Sequence, residues 1–269
     1  MINYTFTYGD LEYFLLVFIR VISFMFVAPF FSMSNMPRRI RIGFSFFVAL
    51  LLYQSVPRQS IVYDTLIGYS VIVMKEVLTG LLIGFAANLC ASIVSFAGHI
   101  VDMEMGLSMA SMFDPTTKET STITGIYYNY MVLLMLMISG MHRYLIQALA
   151  ETYTLIPVNG AVIRTDTLLA AMLEFMANYI IIGFRICLPI FAVMTILNAV
   201  LGILAKVSPQ LNMFVVGIQM KVLVGLSILF LSTSMLPGAA DFIYDQMKRM
   251  VVTLSLIHIS EPTRRRGIS

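Results

Sequence analysis

Long apolar runs separated by short polar breaks organise this chain. Leu11 to Phe31 is the first, interrupted only by Arg20 and long enough as a helix to span about 30 Å of hydrocarbon. Arg20 must therefore face protein or water. A turn rich in breakers and bases follows, Ser32 to Arg41, with Pro37, Arg38 and Arg39 inside it. Ile42 to Val56 is predicted as a shorter helix stopped by Pro57, with a polar connection from Arg58 to Asp64. Leu66 to Ile100 is too long for one comfortable crossing and holds Lys75-Glu76 in its interior. Adjacent helical residues point about 100° apart, so each of these charges should find a partner on another element.

The non-hydrophobic insert Gly98 to Thr122 comes next, then a helix over Ile123 to Met141 that opens with Tyr127, Tyr128 and Tyr130. With no tryptophan in the chain, these tyrosines are the candidates for an aromatic interface belt. His142-Arg143 mark a polar end, and Glu151 to Thr167 reads as a connection with turn formers at Pro157 and Asn159-Gly160. Leu168 to Ala205 is again overlong, with Glu174 and Arg185 inside it and Pro189 as a predicted kink. The polar break Lys206 to Asn212, with Pro209 in it, folds the chain into a helical hairpin whose second arm runs from Asn212 to Met235. Ser208, Gln210 and Asn212 are placed to satisfy the freed backbone groups there. Pro237-Gly238 then introduces a short amphipathic end, Asp241 to Val252.

Composition makes these runs membrane segments. The chain is 59% hydrophobic and 12% charged, with mean hydropathy +0.90, where a soluble domain carries about a quarter charged residues. The expected class is an all-α, polytopic membrane protein. From Leu254 the chain reads LSLIHISEPTR and then RRGIS, which resembles translated sequencing-adaptor DNA, so the native domain is expected over 1–253 and the segment 254–269 is set aside. Without Arg264, Arg265, Arg266 and Glu261 the formal charge of +3 falls to +1, 14 bases against 13 acids. Asp10 and Glu12 stand where a cleavable leader would carry bases, so the first helix is expected to serve as its own insertion signal.

Candidate chemistry is sparse. Cys90 and Cys187 sit in apolar runs with neither CxxC spacing nor histidine neighbours and read as small core residues. Gly80, Gly84, Asn88 and Ser92 recur at four-residue steps, a small and polar stripe that lets helices approach closely in lipid. The insert crowds Met103, Met105, Met109, Met112 and Phe113 among small residues, a deformable apolar surface able to seal around changing shapes. Lys206, Gln210, Asn212, Gln219 and Lys221 lie in or beside the hairpin arms, where amides and charges are expensive unless protein neighbours meet them.

The run Gly202, Lys206, Pro209-Gln210, Asn212, Phe214, Gly217, Lys221 and Gly225 resembles the C-terminal signature of the FliR family, export-gate proteins of the bacterial flagellum. That family is similar to the T component of virulence-associated type III secretion systems. Pro29, Pro37, Arg39 and Arg41 are similar to its first loop, and Gly98, Asp102, Gly106 and Asp114-Pro115 to the loop that projects into the closed export channel. The resemblance implies a fold like a fusion of FliP and FliQ, with long kinked helices and helical hairpins wound into a spiral raised out of the bilayer plane. It implies a non-enzymatic subunit with no cofactor and no metal, assembled in one copy with several FliP and FliQ chains next to FlhB and FlhA. The implied setting is the lipid bilayer of the bacterial inner membrane, in the flagellar basal body. Unfolded rod, hook and filament proteins would be the substrates, and nucleic acid would not be a partner.

Carried onto this sequence, Gly106, Met109, Met112, Phe113, Asp114 and Pro115 would form the plug of the gate. Lys206, Gln210, Asn212 and Lys221 would make polar contacts between subunits, and Lys75 and Glu76 are placed with them. Two other classes compete. A secondary transporter would gather Lys75, Glu76, Glu174 and Arg185 on a small substrate, with paired broken helices in internal repeats, and the sequence shows none. A membrane enzyme would need clustered acid, histidine or cysteine ligands, and these are absent. Membrane orientation stays open, because a six-crossing count puts Arg38, Arg39 and Arg41 opposite Lys248 and Arg249.

Overall fold

The computed structural model describes residues 7–33, 36–56, 63, 65–108, 122–160, 165–210 and 212–256. Among these, all regular structure is helical: α1 (Tyr8–Val27), α2 (Arg38–Ser55), α3 (Leu66–Met105), α4 (Ile123–Ile138), α5 (Met141–Leu155), α6 (Thr165–Val207), α7 (Met213–Ser232) and α8 (Leu236–Leu256), with a 3-10 turn at Thr233–Met235. Leu66–Met105, Leu168–Val207 and Phe214–Thr253 are each long and apolar enough to cross a membrane, and Ile123–Ile138 with Met141–Leu155 make a fourth if taken together. The protein is an all-α, polytopic membrane protein.

Four of the differences from the sequence expectation have a local reason. α3 runs through Gly98 to Met105 without a break, because Asp102 and Met105 in the supposed loop are buried on the same helix. α5 occupies what looked like a polar end and a connection. Its Met141, Leu145, Ala148, Leu149, Thr152 and Tyr153 are buried at the three- and four-residue steps of an amphipathic helix, and Gly140 at φ +79 ends the preceding run. α8 starts at Leu236 because proline is tolerated in a first helical turn. α2 starts at Arg38, so three arginines stand against its positive end. Arg41 Nη2 donates to the Met33 carbonyl at 3.1 Å, and its guanidinium lies 5.0 Å from the Phe26 ring centre.

Contacts divide the chain into two compact units. The first takes residues 1–89, 140–174 and 246–269. In it α1 packs on α2 through Phe14, Phe18, Phe46 and Tyr53, with Phe14 and Phe46 edge to face at 5.5 Å. Asp10 ties the start of α1 by accepting from the Thr7 N–H at 3.0 Å and from Tyr53 Oη at 3.2 Å. The second unit takes residues 90–139 and 175–245. Its core sets Phe96 against Tyr179 and Phe184 and buries Ile93, Val94, Tyr128, Cys187, Ile190 and Met194.

Candidate functional site

Charged and amide groups in apolar helices are the natural place to look for function, and in the first unit they close on one another. Arg20 of α1 and Glu76 of α3 are both 0% exposed, and Arg20 Nε meets Glu76 Oε2 at 2.6 Å. Arg20 Nη1 donates to the Ile156 carbonyl at 3.0 Å, while the guanidinium stacks 4.2 Å from the Tyr153 ring centre. Tyr153 in turn donates its hydroxyl to the Val17 carbonyl at 3.0 Å. Asn159, at φ +68 in a conformation asparagine tolerates, donates its backbone N–H to Glu76 Oε1 at 3.0 Å and accepts from Lys75 Nζ at 3.3 Å.

The expectation sets Glu76 among contacts between subunits. It is instead consumed inside the chain, with both oxygens bonded and no surface left for a partner. Lys75 is half-buried. Gly80 and Gly84 sit where α3 crosses α1. A Cβ at Gly80 would meet the Arg20 carbonyl and Ser23 Oγ, and one at Gly84 would come 2.8 Å from the Phe24 carbonyl oxygen. Asn88 is exposed and Ser92 half-buried, its carbonyl accepting from Tyr179 Oη at 3.3 Å.

In the second unit Asp102 is buried at 1% exposure. It accepts from the Thr124 N–H at 2.9 Å and from the Thr124 hydroxyl, capping from α3 the open end of α4. Thr122 accepts from the Gly125 N–H at 3.3 Å, so two orphan donors of that helix end are met. One turn earlier on α3, Gly98 touches backbone: a Cβ there would strike Gly125 and the carbonyl carbon of Thr124. Asp102→Ala removes an acceptor for two buried donors and should cost roughly 2 kcal/mol, read as a lower unfolding midpoint in detergent. An unchanged midpoint would show that the cap contributes nothing. Of the proposed plug, Gly106 stands just past α3 at φ +78, and Met109, Met112, Phe113, Asp114 and Pro115 lie outside the described residues.

The hairpin behaves differently. Lys206, Gln210, Asn212 and Gln219 are exposed and Lys221 is half-buried, and among the described residues none has a polar partner. Asn212 stands at the N-cap of α7 without a side-chain capping bond, so the capping role foreseen for it is not taken up. Ile203, Phe214, Val215, Leu223 and Phe230 are also open on these arms. Among the described residues no three His, Cys, Asp or Glu side chains converge as metal ligands.

The pairing of Arg20 with Glu76 joins two apolar runs 56 residues apart, and neither run alone encodes it. Its signal was one isolated cation and one isolated anion in separate apolar segments. A family described as bacterial export proteins, family 1, matches residues 11–247, a span that takes in both buried anchors and the hairpin. The chain belongs to the FliR family of bacterial export proteins. It is similar to the flagellar biosynthetic protein FliR of Bacillus subtilis (strain 168), 33% identical over 226 residues, 83% of this chain and 86% of that one. With the FliR of Caulobacter vibrioides it shares 30% identity over 220 residues, 81% of this chain and 87% of the relative. With that of Escherichia coli (strain K12) it shares 25% over 224 residues, 83% and 84%.

Proposed function

We propose that this chain is a non-enzymatic subunit of the flagellar protein export gate in the bacterial inner membrane, forming with FliP and FliQ the channel for unfolded flagellar proteins. The observation that carries the reading is the bare hairpin. Lys206, Gln210, Asn212 and Gln219 are exposed without polar partners among the described residues, on or between helices apolar enough to enter a bilayer. Lipid cannot satisfy such groups and neighbouring protein can. The apolar seal of the gate then belongs to Met109, Met112 and Phe113, in the segment that follows α3 in the sequence.

The transporter reading weakens on Glu76, whose two oxygens are committed to Arg20 and Asn159. Co-expression of the tagged chain with FliP and FliQ from the same gene cluster, followed by native mass spectrometry in detergent, tests the proposal. A discrete complex with one copy of this chain is expected, and Gln210→Ala with Lys221→Ala should shift it toward free subunits. A lone monomer or homodimer indifferent to both partners would sink the gate reading.

A further inference from the structure

Both arms of the hairpin in the second unit are interrupted at one level. α6 carries Pro189 inside it. Proline has no N–H, so the Arg185 carbonyl loses its helical donor and is crowded by the ring. α7 ends at Ser232, and the 3-10 turn Thr233–Met235 leads into α8. The local sequence makes that turn. Pro237 cannot donate to the Thr233 carbonyl, so the Leu236 N–H reaches it at the shorter 3-10 spacing. Ser232 Oγ and Thr233 Oγ1 both donate to the Leu229 carbonyl at 3.0 Å, and Ser234 Oγ to that of Leu231 at 3.1 Å, back-bonds that weaken and bend a helix.

Leu201 Cδ1 lies 3.7 Å from where a Cβ on Gly217 would stand, and Met194 Cε 2.7 Å from one on Gly225. The arms therefore run antiparallel, and their register, continued, sets Arg185 opposite Thr233 and Ser234. A cavity of about 260 Å³ opens at that level, with Arg185, Pro189, Ser232, Met235, Gly238 and Phe242 among its walls, where a close-packed interior would leave no such space. The two sides of the breaks are anchored unequally. Before Pro189, Tyr179 and Phe184 pack on Phe96 of α3 with ring centres 5.4 and 6.3 Å away, and a Cβ on Gly183 would run into the same ring. After Pro189, Ile190 and Met194 are buried, and from Thr195 to Ser232 the described residues bury only Gly217 and Gly225. What α3 sets against Gly225 is the side chain of Met105, which yields by changing rotamer.

We propose that Ile190 to Ser232 form a hinged arm that turns about Pro189 and Thr233–Met235 into the cavity, and that Tyr127 latches it. Either break alone would leave an intact helix beside it to hold the arm; two at one level give it an axis. The latch is the hydrogen bond between Tyr127 Oη of α4 and Thr233 Oγ1 at 3.2 Å. Thr233 gives its own proton to Leu229, so Tyr127 donates. The device lets a hairpin that is bare along its length take its angle from what packs on it, while its base stays closed on Phe96. The proposal concerns this chain alone and does not depend on the export-gate reading.

The test is double electron–electron resonance on the full chain in detergent, with Cys90→Ala and Cys187→Ala leaving only introduced thiols. Labels at Ile203→Cys and Ile138→Cys read across the breaks, and labels at Ile203→Cys and Phe230→Cys read within the arm, all at exposed positions. The distance across the breaks should show a minor second value whose share rises about fivefold in Tyr127→Phe, the net effect of one hydrogen bond. Pro189→Ala restores a donor to the Arg185 carbonyl and should leave one distance. The distance within the arm should be the same in all three proteins. One narrow distance across the breaks in Tyr127→Phe, a second distance that survives Pro189→Ala undiminished, or a distance within the arm that spreads with the other would each overturn the hinge, the last because the arm itself would then be bending.

Discussion

Glu76→Ala is expected to destabilise the chain by about 3–5 kcal/mol, the cost of stranding one charge of a buried pair. Arg20 and Glu76 are both fully buried, so water does not screen the charge that remains. The substitution leaves Arg20 Nε and the Asn159 N–H without acceptors, and Arg20 Nη2 already lacks one among the described residues. Two anchor points fail together: the contact of α1 with α3, and the turn whose Asn159 N–H bonds the same carboxylate and whose Ile156 carbonyl accepts from Arg20. The measurement is the unfolding midpoint of the purified protein in detergent. Arg20→Met combined with Glu76→Leu should regain part of the loss, because an apolar pair of similar volume needs no compensating charge while the Ile156 carbonyl and Asn159 N–H stay without their side-chain partners. A single variant as stable as the parent, or a double variant worse than the single, would show that the pair does not hold this unit.

Much of this was legible in the chain and some of it was not, for physical reasons. Period and composition mark every long apolar helix, because a run such as Ile186 to Ala205 has no other environment to enter. The hairpin turn is equally plain, since Pro209 cannot continue a helix. Helix α5 was hidden because only one of its faces is apolar, so its mean hydropathy is that of a connection. The end of α3 was hidden by its composition: GHIVDMEM looks like a loop until Asp102 is seen capping another helix. Pairings are harder still, because the partner of Arg20 lies 56 residues away and no local pattern encodes it. Glu76 was assigned outward on the sound premise that a membrane carboxylate needs a partner. The partner was in the same chain.

A different kind of test separates packing from propensity at the glycines. Gly98→Ala is expected to destabilise by about 1–3 kcal/mol, while the same change at Gly43 should stabilise by about 0.5–1 kcal/mol. Both positions lie inside helices, and an alanine there stiffens the unfolded chain to the same degree. They differ in what a Cβ meets. At Gly43 there is nothing within 4 Å, whereas at Gly98 it runs into the backbone of Gly125 and Thr124, which has no rotamer by which to move away. α4 must then lift off α3, and one turn farther along that movement stretches the bonds from Thr124 to Asp102. The steric cost and the loss of the cap are therefore coupled, and Gly98→Ala with Asp102→Ala should cost less than the two changes separately. Unfolding midpoints of the four proteins in detergent decide it. If Gly98→Ala and Gly43→Ala move the midpoint in the same direction, the close crossing at Gly98 and Gly125 is not what holds α3 to α4.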